Sequence, residues 1–291
     1  MNPTSVKFQL FKVAKAVKES RDVDAVLSDV EGDKLADRAR MVRGSKIRLE
    51  RVKEVPATAK LPRRWELDFV RLRDVSGPGK GSELTAVEDL DINANEFFGE
   101  EAAALFFPEK GYLVVQYNHH GVRPAAMVQY LSNYLENEAN QFEIAAVLDA
   151  EADAKFGRMK HVRRFSVAVD LDKLTDKQKE AGVGLGEALD RASQMNGARI
   201  SIQVSVGHDS NRNLRGVKGW LNKMLKTDAL ISAEVAGRET PDGEISPLDL
   251  ISEQLTNFIE INPGTGKRLP WPDRLKALGD TAVKWKERMQ N

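Results

Sequence analysis

Apolar and polar residues alternate along Val6-Lys7-Phe8-Gln9-Leu10-Phe11 before the run turns apolar, the period of a strand with one buried face. The same period recurs over Lys46–Val52 and over Trp65–Leu72, where Trp65, Leu67 and Phe69 share a side. Residues from about 19 to 60 are otherwise less regular and predict an exposed, mobile arm. Ser76–Ser82, with three glycines and a proline, is a loop by its turn chemistry. Asn95 is placed to cap a helix over Glu96–Phe107, with Glu100 and Glu101 early in it and Pro108 ending it. Tyr112–Tyr117 is a continuous buried-type strand, Pro124–Glu136 a helix with proline at its first position, and Phe142–Leu148 a further strand.

The second half repeats this order. Phe165–Leu171, Ile200–Val206 and Leu230–Val235 predict strands, and Thr175–Met195 and Leu214–Lys226 predict helices. Pro247–Phe258 and Pro272–Met289 read as C-terminal helices. Gln116 matches Gln203 in the two halves, and a histidine loop follows each. The expected fold is α/β with mixed sheets, in two βαβαβ-like subdomains and a helical end. Either an internal duplication or chance recurrence of a common pattern explains the parallel. The division falls at 1–155, with a basic arm at about 19–64, and 156–291.

Composition narrows the classes. Of 291 residues, 41% are hydrophobic and 30% charged, enough apolar side chain for a core. The absence of cysteine excludes disulfides, thiolate metal sites and a cysteine nucleophile. The N-terminal stretch has no apolar signal region and no window is long and apolar enough to span a bilayer, so a cytoplasmic protein without a membrane partner is expected. Lys plus Arg balance Asp plus Glu at 44 each, so a polyanion site has to be local.

Two strand-to-helix loops carry the candidate chemistry: Asn118-His119-His120-Gly121-Val122-Arg123 and Gly207-His208-Asp209-Ser210-Asn211-Arg212. At the carboxyl ends of strands, helix N-termini, histidine and arginine together suit a phosphate-bearing ligand. Asn118, His119, His120, Arg123, His208 and Arg212 are the candidate ligand residues; simple helix capping and exposed turns explain the same composition. Adjacent His119 and His120 diverge on an extended chain, and His161 lies among Arg158, Lys160, Arg163 and Arg164, so no metal is expected. No cofactor motif is complete: Pro263–Arg268 lacks the first glycine and the final Ser/Thr of a phosphate-binding loop, and Gly182, Gly184 and Gly186 are wrongly spaced for a dinucleotide turn. Asp149 with Asp153-Ala154-Lys155 approaches a nuclease triad but follows its strand rather than lying on it.

Charge distribution is more specific. Arg38 to Arg64 holds ten cations against Glu50 and Glu54, whereas Glu83 to Glu109 is acidic. Arg43, Lys46, Arg48, Arg51, Arg63 and Arg64 are the candidate contacts to DNA or RNA phosphates. The same arm could instead dock on the acidic segment of its own chain, of a second copy or of another protein. Arg212, Arg215, Lys218, Lys223 and Lys226 form a second basic group, and Trp220 beside it reads as packing or as a stacking platform.

The layout, with the Trp65 strand, the strand end at Gln116 and Asn118, and Gln203-x-Ser205-x-Gly207, resembles uncharacterised bacterial proteins of anti-phage defence islands and prophages. The resemblance implies no catalytic residue. The expectation is a non-enzymatic binder of nucleic acid or another phosphate-rich ligand. The alternatives are a phosphodiesterase or nuclease using the histidine loops as acid and base, and an oligomer-forming interaction subunit.

Overall fold

The computed structural model describes residues 3–16, 21–74, 77–93, 95–135, 141–171, 174, 186–207, 212–225, 229–263 and 268–290. Helices mix with antiparallel sheets. Contacts divide the chain into two compact units: residues 1–9, 13–143 and 257–291, and residues 10–12 with 144–256.

The first unit is built on β1 (Thr4–Lys15), β2 (Ala39–Val42), β3 (Ser45–Val55), β4 (Arg64–Arg73), β7 (Phe98–Phe107), β8 (Tyr112–Tyr117) and β14 (Thr256–Ile261), in the order β14-β1-β8-β7-β4-β3-β2. This sheet curls into a half-barrel. A small hairpin, β5 (Lys80–Ser82) with β6 (Thr85–Glu88), stands apart from it, so part of the expected loop is strand. On β4, Trp65, Leu67 and Phe69 are each 1% exposed and share one face, as their alternation requires. Helices α1 (Val23–Gly32) and α2 (Pro124–Ser132) belong to this unit, and Tyr130 of α2 meets Phe69 edge to face at 5.6 Å.

The expected mobile arm is instead docked. Val26, Leu27 and Val30 of α1 and Ile47 and Leu49 of β3 are buried. The Tyr130 hydroxyl donates to the Arg38 carbonyl at 2.7 Å and accepts from the Leu49 N–H at 3.3 Å. Two residues, Arg43 and Gly44, turn β2 into β3 with φ of 50° and 71°, the positive values a tight hairpin demands.

Glu96–Phe107 is not a helix: Phe98–Phe107 is β7, paired with β4 and β8. Residues Ala102 to Phe107 are all buried, so both faces are covered and the period of two is hidden. Helix α6 (Trp271–Lys284) packs on β7 and β8 and buries Ala277, Leu278, Thr281 and Ala282, and the short α7 (Lys286–Gln290) follows it. Under α6, Arg274 and Asp68 form a bidentate pair with both bonds at 2.8 Å, the two side chains 2% and 1% exposed.

The second unit carries β10 (His161–Asp170), β11 (Arg199–Ser205), β12 (Leu230–Arg238) and β13 (Ser246–Asp249) in a sheet ordered β11-β10-β12-β13, every pair antiparallel. Strand β9 (Phe142–Ala146) pairs with β1, whose residues Leu10–Lys12 belong with this unit. Helices α3 (Ala150–Arg158), α4 (Gly186–Gln194) and α5 (Val217–Met224) complete the unit, whose core gathers Phe156, Phe165, Val167, Leu189, Trp220 and Leu221. The Pro247–Phe258 helix is also corrected: β13 and β14 take up its two ends, and turns and an isolated bridge lie between them. The remainder of the Thr175–Met195 helix before Gly186 lies outside the described residues. Gln116 is 6% exposed and accepts from the Ala103 N–H, whereas Gln203 is exposed, so the matched glutamines occupy different environments. Among the described residues no helix is long and apolar enough to cross a membrane.

Candidate functional site

The cations of the basic segment divide into paired and outward-facing groups. Arg63 bonds both Asp24 oxygens at 3.1 and 2.8 Å and Glu54 at 2.7 Å. Arg64 pairs with Glu66 at 3.1 Å, and Arg48 with Glu50 at 2.5 Å. Both are i, i+2 pairs, which alternation puts on one face of the strand. Arg43 donates to Gln129 Oε1 at 2.7 Å. Lys46, Arg51 and Lys53 are exposed along the side of β3 opposite Ile47, Leu49 and Val52, with a register shift between Leu49 and Arg51. The Lys46 ammonium lies 4.8 Å from the Phe97 ring and the Arg51 guanidinium 5.6 Å from the Trp271 ring.

The first histidine loop leaves β8 and enters α2. Asn118 organises it, its Nδ2 donating to the Glu101 carbonyl at 2.8 Å and its Oδ1 accepting from the His120 N–H at 3.1 Å. The His119 and His120 rings stand perpendicular at 5.0 Å between centroids, and both residues are exposed. Arg123 donates to the His119 carbonyl at 3.1 Å and lies 4.6 Å over the Tyr117 ring. These residues form one cluster, held mainly by its own turn. His208 lies outside the described residues, so of the second loop's candidate residues only Arg212 is described. Among the described residues no group of three His, Asp or Glu side chains is placed to hold a metal ion.

In the second unit, the backbone around Arg212 forms a cavity wall. Buried Arg163 donates to the carbonyls of Arg212 and Gly207, while Leu214 N–H bonds the Val162 carbonyl at 2.9 Å and Val206 N–H the Arg163 carbonyl at 3.0 Å. Gly216, at φ 76°, then turns the chain into α5. The result is a cavity of about 580 Å³ lined by His161, Ser205, Val206, Arg212, Asn213, Leu214 and Arg215. Three basic residues, His161, Arg212 and Arg215, are in its lining, and among the described residues no carboxylate lines it. A second cavity of about 410 Å³ shares Asn213, Leu214 and Arg215 and adds Phe165, Val204, Val217 and Trp220.

Arg212 was legible as a loop cation, and Arg215 as a member of the basic group. In the sequence His161 reads only as a histidine in cationic company, and the structure sets it in the same cavity lining as Arg212 and Arg215. The charged core under α6 escaped the sequence reading, because nothing local relates Asp68 to Arg274. There Glu101 also meets Arg274 at 3.1 Å and pairs with Arg268. Burial pushes the Asp68 carboxyl upward, against the opposing pull of Arg274.

No curated protein matches the chain. A model of a family of unknown function (DUF6731) matches residues 1–273, and the chain belongs to that family.

Proposed function

We propose that this protein is a non-enzymatic binding protein whose second unit holds a phosphate-bearing ligand. The observation that supports the reading is the placement of His161, Arg212 and Arg215 around one cavity of about 580 Å³ whose lining, among the described residues, holds no carboxylate. Guanidinium groups give phosphate oxygens charge-assisted, directional hydrogen bonds, and Ser205 adds a neutral donor. By contrast, the cleft beside Arg63 is lined by Lys15 together with Asp22, Asp24 and Glu109, a mixed set with no preference for an anion. Calorimetric titration with inorganic phosphate and pyrophosphate tests the reading. Arg215→Glu is expected to weaken binding about tenfold or more through lost attraction and new repulsion; unchanged affinity overturns the assignment.

A second reading rests on the exposed Lys46, Arg51 and Lys53 of β3, a row of cations suited to the phosphates of an extended nucleic acid. The paired Arg48, Arg63 and Arg64 contribute less to it, because their charges already face carboxylates.

A further inference from the structure

Among the described residues, the strands of the β5–β6 hairpin pair only with each other. Leu84, in the two-residue turn between Ser82 and Thr85, is 95% exposed, and Val87 is 77% exposed. Leu90 and Ile92 follow, and both are exposed. A lone two-stranded hairpin is marginal in water, and apolar side chains clustered outward on one mark an interaction surface. Its charge has one sign: Glu83, Glu88, Asp89 and Asp91 stand against Lys80. None of the four carboxylates forms an ion pair among the described residues. A surface of the opposite kind lies on the same unit. Lys46, Arg51 and Lys53 form the outward row of β3, and they too make no ion pair among the described residues. Met41 of β2 is the ladder partner of Lys46 and is 62% exposed, and the Phe97 ring lies 4.8 Å from the Lys46 ammonium. Ladder partners share a face of the sheet, so an apolar side chain neighbours this cation as Leu84 neighbours Glu83 at the hairpin tip. A run of phosphates would meet the cations and leave Met41 in water, whereas the hairpin offers a partner to both. The chain thus carries both halves of a contact, each unpaired, and a second copy related by a two-fold axis joins them twice.

We infer that the protein forms a two-fold dimer in which the β5–β6 hairpin of each copy docks on the β2–β3 surface of the other. Leu84 meets Met41, and the hairpin carboxylates meet Lys46, Arg51 and Lys53. The full-length protein is followed by sedimentation at low and high salt. A dimer is expected whose dissociation constant rises with salt, because its ion pairs lie at the surface. Leu84→Asp is expected to weaken it about tenfold or more through loss of the apolar contact. Glu83→Lys/Glu88→Lys and Lys46→Glu/Arg51→Glu are each expected to be monomeric, since like charges then face each other in both contacts. An equimolar mixture of those two variants is expected to form a heterodimer, in which both contacts again join opposite charges. The altered residues are all exposed, and an unchanged urea midpoint shows that each variant folds. A wild type that stays monomeric at low salt overturns the inference. So does a dimer indifferent to Leu84→Asp, or a mixture of the charge-swapped variants that stays monomeric. The β3 row takes one occupant at a time, so DNA or RNA bound through it is expected to split the dimer. Nucleic acid bound through β3 to an intact dimer would put the hairpin elsewhere and overturn the docking.

Discussion

Asp24 shows how one side chain can hold a segment that looks irregular in sequence. It lies in the first turn of α1 and accepts from Trp65 Nε1 at 2.6 Å as well as from Arg63. Partial burial pushes its carboxyl upward, but the bonds from Arg63 and Trp65 prevail and hold it below its ordinary 3.8. A carboxyl lowered in the folded state contributes stability that is present above its unfolded value and lost as pH falls through the folded one. Asp24→Asn is therefore expected to cost about 1 kcal/mol at neutral pH, a figure reduced for the side chain's 34% exposure. In urea denaturation across a pH series, the gap between wild type and variant should close as pH drops below 3.8. A gap that stays constant into acid would show that the carboxylate charge contributes nothing.

At the scale of elements, β7 is decided by what covers it. Phe97-Phe98 followed by Glu100-Glu101 and Ala102-Ala103-Ala104 has good helical propensity and no alternation, so local preference favours a helix. Pairing with β4 from Trp65↔Phe106 to Arg73↔Phe98, and with β8 beyond it, overrides that preference. The alanines are small because both faces are filled: Ala103 lies between Asp68 on β4 and Gln116 on β8, under α6. A residue with higher strand propensity should therefore harm this strand. Ala103→Leu is expected to destabilise by about 1–3 kcal/mol through overpacking, read as a lower urea midpoint; an unchanged or higher midpoint would show room on that face. The stretch from Pro247 follows the same logic. Its apolar residues at three- and four-residue spacing suit a helix, yet its start pairs with β12 as β13, its end enters β14, and turns lie between.

For the whole molecule, charge balance matters more than charge content. With 44 cations and 44 anions there is no net field to gather polyanions, and many cations of the basic segment are committed locally. Nucleic-acid binding through β3 would consequently involve few phosphates and a modest salt dependence. The variant Lys46→Glu/Arg51→Glu/Lys53→Glu is expected to abolish binding to labelled DNA or RNA. For the wild type, log K against log salt should have a slope of about −3, one contact per residue. No binding by the wild type at low salt would remove the β3 reading without touching the cavity of the second unit.

What the sequence determined by itself is the set of elements with one buried face. β1, β3, β4, β10 and β11 alternate because one face meets the core and the other does not, and that contrast is written residue by residue. The lack of cysteine and the balance of charge were equally plain, and so were Arg212 and Arg215 as cations. Only the tertiary structure decided that β7 is a strand, that the basic segment is docked, that residues 257–291 return to the first unit, and that His161 and Trp220 line cavities sharing Arg215. The physical reason is common to all four. Periodicity reports how a segment divides its own two faces, whereas burial on both faces and convergence of distant side chains depend on long-range pairing.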